Sequence, residues 1–275
     1  MPQDIWGGIP THWIRAGAGP RQALLIHCSL GHAGGWARMV AWLDDVISAI
    51  AYDLPGHGRS ADWDGISDIQ AVSTAMAVDL LEHEGQGPAD IIGHSFGGTV
   101  AIRLAVERPD LVRSLVLIEP VFFAVAVQDQ PALQVQDDAH MRAYRKALQA
   151  GDRIAAAKAF TSIWGDGRGW DSMPAAQQNA LAARIHLIEA GAPAIYGDCA
   201  GILSGGKLSG ITCPVLLIRG GDSPAAIAAI NDGLARRIPQ AKQVAIAGAG
   251  HMAPITHPTE VAQSVRAFLQ DLPTA

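Results

Sequence analysis

The chain has 275 residues, 49% of them hydrophobic and only 17% charged, ample apolar material for a large buried core. Its formal net charge is −6 with no cluster of lysine or arginine, which argues against nucleic acid or an anionic membrane as a partner. No uninterrupted apolar run approaches the ~20 residues needed to span a bilayer.

Taken in chain order, the sequence alternates strand and helix, the pattern of a mostly parallel sheet covered on both faces. Residues 11–15 and 24–27 read as early strands, 35–43 as a helix and 48–53 as a strand. Residues 67–84 form a long helix, with apolar residues at helical spacing across 68–81. Residues 89–93 are a strand leading into a glycine-rich turn and a helical run at 99–107, and 115–118 is the next strand. The pattern resumes late in the chain with a strand at 215–218, a helix at 225–238, a strand at 243–247 and a helix at 257–269. Between Pro120 and Cys213 the alternation stops and helix formers dominate, with runs at 138–150, 153–164, 175–190 and 192–203. The expected organisation is therefore an α/β core domain made of 1–120 and 213–275, with a helical cap, 121–212, inserted after a core strand. A cap excludes water and shapes a pocket. Phe122, Phe123, Trp164, Trp170 and Met173 are candidates for its apolar walls.

The turn after 89–93 reads Gly93-His94-Ser95-Phe96-Gly97-Gly98 and fits G-x-S-x-G. In that motif a sharp strand-to-helix turn lifts a serine hydroxyl above the end of a sheet. The serine is forced into a strained backbone conformation, and a side chain two residues away on either side would collide, so Gly93 and Gly97 leave the space empty. A serine hydroxyl is a poor nucleophile at neutral pH and needs a base such as imidazole. His251 supplies one, in the small-residue loop Gly248-Ala249-Gly250-His251-Met252-Ala253-Pro254.

Two further stretches, Leu25-Ile26-His27-Cys28-Ser29-Leu30-Gly31 and Asp53-Leu54-Pro55-Gly56-His57-Gly58-Arg59-Ser60, complete a set of four motifs in one order. Together they make the chain resemble the α/β-hydrolase fold family over nearly its whole length, and within it the capped serine hydrolases that include esterases, lactonases and carbon–carbon bond hydrolases. The resemblance implies a serine hydrolase acting through an acyl-enzyme on a small, largely apolar ester, lactone or thioester. Carbon–carbon bond hydrolysis, cofactor-free perhydrolysis and ligand sensing without turnover are the alternatives. It implies an oxyanion hole made by the backbone amides of Phe96 and Ser29. Cys28 occupies the place of the family's usual glycine, and Trp36 is a candidate for the same entrance. The histidine needs a carboxylate partner. In most relatives this is an aspartate after the strand that follows the cap. Here Asp222 falls one residue before that position, which holds Ser223. Glu119, at the end of the strand before the cap, competes with it, and Asp222 is favoured slightly.

Residues 201–207 spell G-x-x-x-x-G-K, but Leu208 stands where a P-loop has Ser or Thr, so a nucleotide site is rejected. Ten histidines form no zinc-type spacing, and neither a metal nor a cofactor is expected. Cys28, Cys199 and Cys213 make no disulfide framework, and Met1-Pro2-Gln3-Asp4 carries no basic or apolar leader, so a cytoplasmic location is expected. The expected partner is a small-molecule substrate, with the oligomeric state left open.

Overall fold

The computed structural model describes residues 4–85 and 87–273; Met1, Pro2 and Gln3, part of the segment read above for a leader, lie outside them. A seven-stranded sheet is ordered β3-β5-β4-β6-β7-β8-β9, from Trp13–Ala16 (β3), Arg21–Ile26 (β4), Ile47–Tyr52 (β5), Ala89–His94 (β6), Val112–Ile118 (β7), Val215–Gly220 (β8) and Ala241–Ile246 (β9). Every neighbouring pair is parallel except β3 with β5. A two-stranded antiparallel ribbon, Asp4–Trp6 (β1) with Ile9–Thr11 (β2), precedes the sheet. The expected first strand at 11–15 is thus two strands, parted at His12.

Alternation along the strands divides the apolar residues between two cores. Leu24, Ile26, Ile91, Leu115, Leu117 and Leu217 join one cluster, with Ile69–Glu84 (α2), Phe96–Glu107 (α3) and Ala225–Arg237 (α10) on that face. Leu25, Ile92, Val116, Ile118 and Leu216 join the other, covered by Ala37–Val40 (α1), Ala253–Thr256 (α11) and Pro258–Gln270 (α12). Helix α2 begins where Asp68 caps it, its carboxylate accepting from the amides of Gln70 and Ala71. It buries Ile69, Met76, Ala77, Leu80 and Leu81, a stripe at helical spacing. The expected helix at 35–43 is a four-residue 3-10 turn, Ala33–Trp36, followed by the short α1.

Between β7 and β8 the chain is helical: Phe123–Asp129 (α4), Ala132–His140 (α5), Arg142–Gln149 (α6), Arg153–Trp164 (α7), Ala175–Arg184 (α8) and Leu187–Ile195 (α9). Helix α4 and most of α5 had no counterpart in the sequence reading, and three expected runs are broken or cut short, the run at 138–150 being interrupted at Met141 between α5 and α6. The run at 175–190 breaks at Ile185 and His186. The run at 192–203 ends at Ile195, because the Asp198 carboxylate accepts from the amides of Ile202 and Leu203 and bends the chain away. Among the described residues no helix is long and apolar enough to cross a membrane.

At the opposite end of β6 from the serine, Asp90 is fully buried. It accepts from Arg21 at 2.8 and 3.0 Å, from Arg113 at 3.0 and 2.6 Å and from Ser114 at 2.7 Å. Burial opposes its charge, yet the two guanidiniums and the hydroxyl hold its carboxyl below the usual range. Asp90→Ala leaves two cations without their counter-ion, Arg21 being almost wholly buried, and should lower the unfolding free energy by roughly 3–5 kcal/mol in urea titration.

Candidate active site

Three strand ends meet at one edge of the sheet. Ser95 follows β6 with φ 55°, and its amide donates to Ile118 O at 3.0 Å, extending the pairing with β7 one residue beyond the strand. A side-chain carbon on Gly93 would run into the Gly97 carbonyl, and one on Gly97 into the carbonyls of Ile26 and His27. Both glycines are therefore fixed by close backbone approach, the packing expected of this turn. Phe96 opens α3, so its amide has no partner within the helix.

His251 lies in the loop after β9 and is buried. Its Nε2 is 2.9 Å from Ser95 Oγ and its Nδ1 is 3.0 Å from Glu119 Oε2. A carboxylate only accepts, so Nδ1 carries the proton and Nε2 is free to accept from the serine. Glu119 sits just past β7 with φ 52°, fully buried, and its amide donates to Ile218 O at 2.7 Å. Its side chain reaches over the end of β8, where the Gly220 amide donates to Oε1 at 2.5 Å and Ser223 Oγ donates to Oε2 at 2.8 Å. Both carboxylate oxygens of Glu119 thus accept hydrogen bonds from its surroundings.

Asp222, slightly favoured from sequence, is not brought to His251. It is exposed, and only its amide serves the loop, donating to Ala249 O at 2.9 Å. The physical reason is the one-residue offset seen in the count: the position beside the histidine holds Ser223, and its hydroxyl is bonded to Glu119. Sequence reading placed Ser223 correctly in register but gave it no role.

Three further histidines hold the loops. His27 Nδ1 donates to Cys28 O at 2.7 Å while its Nε2 accepts from the Leu54 amide at 3.0 Å. His94 Nε2 donates to the carbonyl of His251 at 2.9 Å. His57 Nδ1 lies 2.8 Å from Pro55 O. Burial lowers all three, His27 to about 4 and His57 and His94 to about 3, so these rings are neutral at ordinary pH. Asp53 is buried beside them; burial opposes its charge, but the amides of Ala33 and Arg59 hold its carboxyl below the usual range.

Two cavities meet here. The inner one, about 140 Å³, is lined by Ser95 and His251 together with Val121, Phe123, Ile195 and Tyr196. The outer one, about 480 Å³, is lined by Trp36, His94, Met173 and residues of α7 and α8. Cys28, Ser29, Phe160, Trp164 and Met252 line both and form the neck between them. The Trp164 ring stands edge-on to His251 at 4.8 Å and 6.0 Å from Phe123. The Cys28 thiol is pushed up to about 12 by burial and stays protonated, so it shapes the neck without being reactive.

Of the expected pocket residues, Trp36, Phe123 and Trp164 are brought to these cavities, and Phe122 and Trp170 are not. Phe122 is packed in the core before α4, and Trp170 is buried beneath α8, where its carbonyl accepts from Gln178. Phe160, Tyr196, Met252 and Arg184 line the cavities without having been singled out. Only their place in loops or helices that the fold brings together marks them.

The chain matches the family model for the α/β hydrolase fold over residues 24–258. It belongs to that family. Its relatives include named lipases and esterases. It is 40% identical over 159 residues to Lipase LipV of Mycobacterium tuberculosis, covering 58% of this chain and 57% of LipV, little more than half of that protein. It is 26% identical over 265 residues to Esterase YbfF of Escherichia coli, covering 90% of this chain and 92% of that one. The enol-lactonase from Burkholderia xenovorans superposes with a TM-score of 0.70 at 22% identity, over 98% of this α/β hydrolase and all of that chain, a likeness of fold.

The neutral histidines set a pH dependence. Each has its folded pKa depressed below the unfolded 6.5, so the unfolded chain binds more protons as pH falls, and stability rises with pH between about 3 and 6.5. Each group contributes up to ~1.4 kcal/mol per pH unit within its window. Melting temperature should therefore drop steeply from pH 6.5 to 4.5, and replacing His57 with Gln should flatten that slope.

Proposed function

We propose that this α/β hydrolase cleaves a small carboxylic ester, with lactones and thioesters in the same class, through an acyl-enzyme. The observation that carries this reading is His251 held within hydrogen-bond distance of both Ser95 and Glu119. Ser95 Oγ attacks the carbonyl carbon while His251 Nε2 takes its proton, and Glu119 steadies the imidazolium that forms. The amides of Phe96 and Ser29 receive the oxyanion. Collapse expels the leaving group, which takes the proton back from Nε2. A water deprotonated by the same nitrogen then frees the acid and restores Ser95.

The helical segment 121–212 acts as the cap, covering the serine through α7 to α9. Phe123 in the inner cavity, Trp164 in the neck and Trp36 in the outer cavity supply the apolar walls. Apolar walls around a charged centre favour a substrate without charge at the scissile bond, since desolvating an ion there is costly.

Hydrolysis of p-nitrophenyl esters from acetate to octanoate tests the reading. The wild-type chain should turn over the shorter members, and Ser95→Ala should lose roughly 10⁴- to 10⁶-fold in kcat. Glu119→Gln should lose roughly 10³- to 10⁴-fold, because the amide cannot hold the tautomer or the imidazolium charge. Asp222→Asn should stay within about twofold of wild type, as expected of an exposed side chain. Retained turnover in Ser95→Ala, or a larger loss in Asp222→Asn than in Glu119→Gln, contradicts the assignment.

A further inference from the structure

Arg184, the last residue of α8, lines the outer cavity. It is half-buried, and its guanidinium is anchored by backbone carbonyls alone, Nε donating to Gly56 O at 3.1 Å and Nη2 to Gly58 O at 3.4 Å. Among the described residues it has no carboxylate partner. The other cation of the same cavity, Arg168, is exposed and paired with Asp166 at 2.7 Å. The outer cavity therefore carries one net positive charge in a chain whose formal net charge is −6. A guanidinium fixed by carbonyls, which hold it without neutralising it, is suited to take an oxyanionic group through its remaining N–H donors.

The two cavities divide the substrate. The acyl group stays bonded to Ser95 until water arrives, so it belongs in the inner cavity that the serine itself lines. The leaving group has to depart first. The outer cavity, rimmed by the exposed residues His32, Gly58, Arg168 and Ala180, is its route to solvent. We propose that Arg184 makes the outer cavity a binding site for a leaving group bearing a carboxylate or phosphate. This rests on the ester-hydrolysis reading for the identity of the leaving group, but the anion site itself does not depend on turnover.

A matched pair tests it. 4-Acetoxybenzoate and 4-acetoxybenzamide have nearly the same shape and differ in charge, as do their products, 4-hydroxybenzoate and 4-hydroxybenzamide. Product binding by calorimetry should favour the benzoate in the wild-type chain, and that preference should shrink as salt rises. Arg184→Gln should reduce the preference about tenfold, both in product affinity and in the ratio of kcat/KM for the two esters. Intrinsic leaving-group differences cancel when variant and wild type are compared. Arg184→Lys should restore part of the preference with its salt dependence, because it returns the positive charge. Arg168→Lys, which keeps a cation beside Asp166, should keep it. Equal binding of the two products by the wild-type chain overturns the proposal and needs no variant to fold. So does a preference that survives Arg184→Gln or disappears in Arg168→Lys. If the wild-type chain binds the benzoate through Arg184 but hydrolyses neither ester nor any p-nitrophenyl ester, the anion site stands and the esterase reading falls.

Discussion

Parallel pairing of β6, β7 and β8 brings three strand ends to one edge, and there the backbone enters the left-handed region twice, at Ser95 with φ 55° and at Glu119 with φ 52°. Neither residue is glycine, and each such position costs on the order of 1–3 kcal/mol unless its surroundings fix it. The surroundings do fix them. Each amide extends a ladder past the end of its strand, Ser95 to Ile118 O and Glu119 to Ile218 O, so both bends start from a rigid base. The serine hydroxyl and the glutamate carboxylate are thus aimed by the sheet itself, and His251 is set between them by a loop that Gly220, Gly221 and Asp222 hold through the main chain. A shift of β7 against β6 would part the serine from the glutamate, and one against β8 would part the glutamate from the histidine.

Much of this was legible in the sequence, and the rest was hidden for identifiable reasons. The strand–turn–helix around Ser95 has a local signature, because close backbone approach demands glycine at 93 and 97. The alternation of strand and helix gave the parallel sheet, since apolar side chains at period 2 and period 3.6 are local properties of the chain. The insertion was recognisable as helical, but its breaks were not. Ile185 and His186 interrupt a run of good helix formers for tertiary reasons, as α8 packs on α7 while α9 packs on α2 and α3. The choice between Asp222 and Glu119 was likewise tertiary. It depended on which carboxylate could reach across β8, and the one-residue offset at Ser223 was visible without its consequence being visible. Phe122 and Trp170 show the same limit for aromatic residues, whose type gives burial but not which cavity, if any, they face.

The buried histidines around the site show how the fold handles polarity where water is excluded. His27 and His94 use carbonyl acceptors rather than carboxylates, so desolvation dominates and both rings stay neutral. That leaves Glu119 as the carboxylate bonded to His251. A cationic His94, whose ring lies 5.4 Å from that of His251, would instead oppose protonation of the proposed base.

The identities of residues 119 and 223 are coupled by that same requirement. Ser223 Oγ lies 2.8 Å from the Glu119 carboxylate, so an aspartate at 223 would bring two carboxylates together in a buried setting. Like charges at such a distance cannot both ionise, and one would be driven to take up a proton. The shared proton would weaken the partner that holds His251 in its accepting tautomer. With serine at 223 the contact is instead a hydrogen bond donated to the Glu119 carboxylate. The departure from the aspartate expected after β8 is therefore matched by the glutamate after β7. Altering either position alone would break the hydrogen bond through which Ser223 steadies the carboxylate that His251 meets.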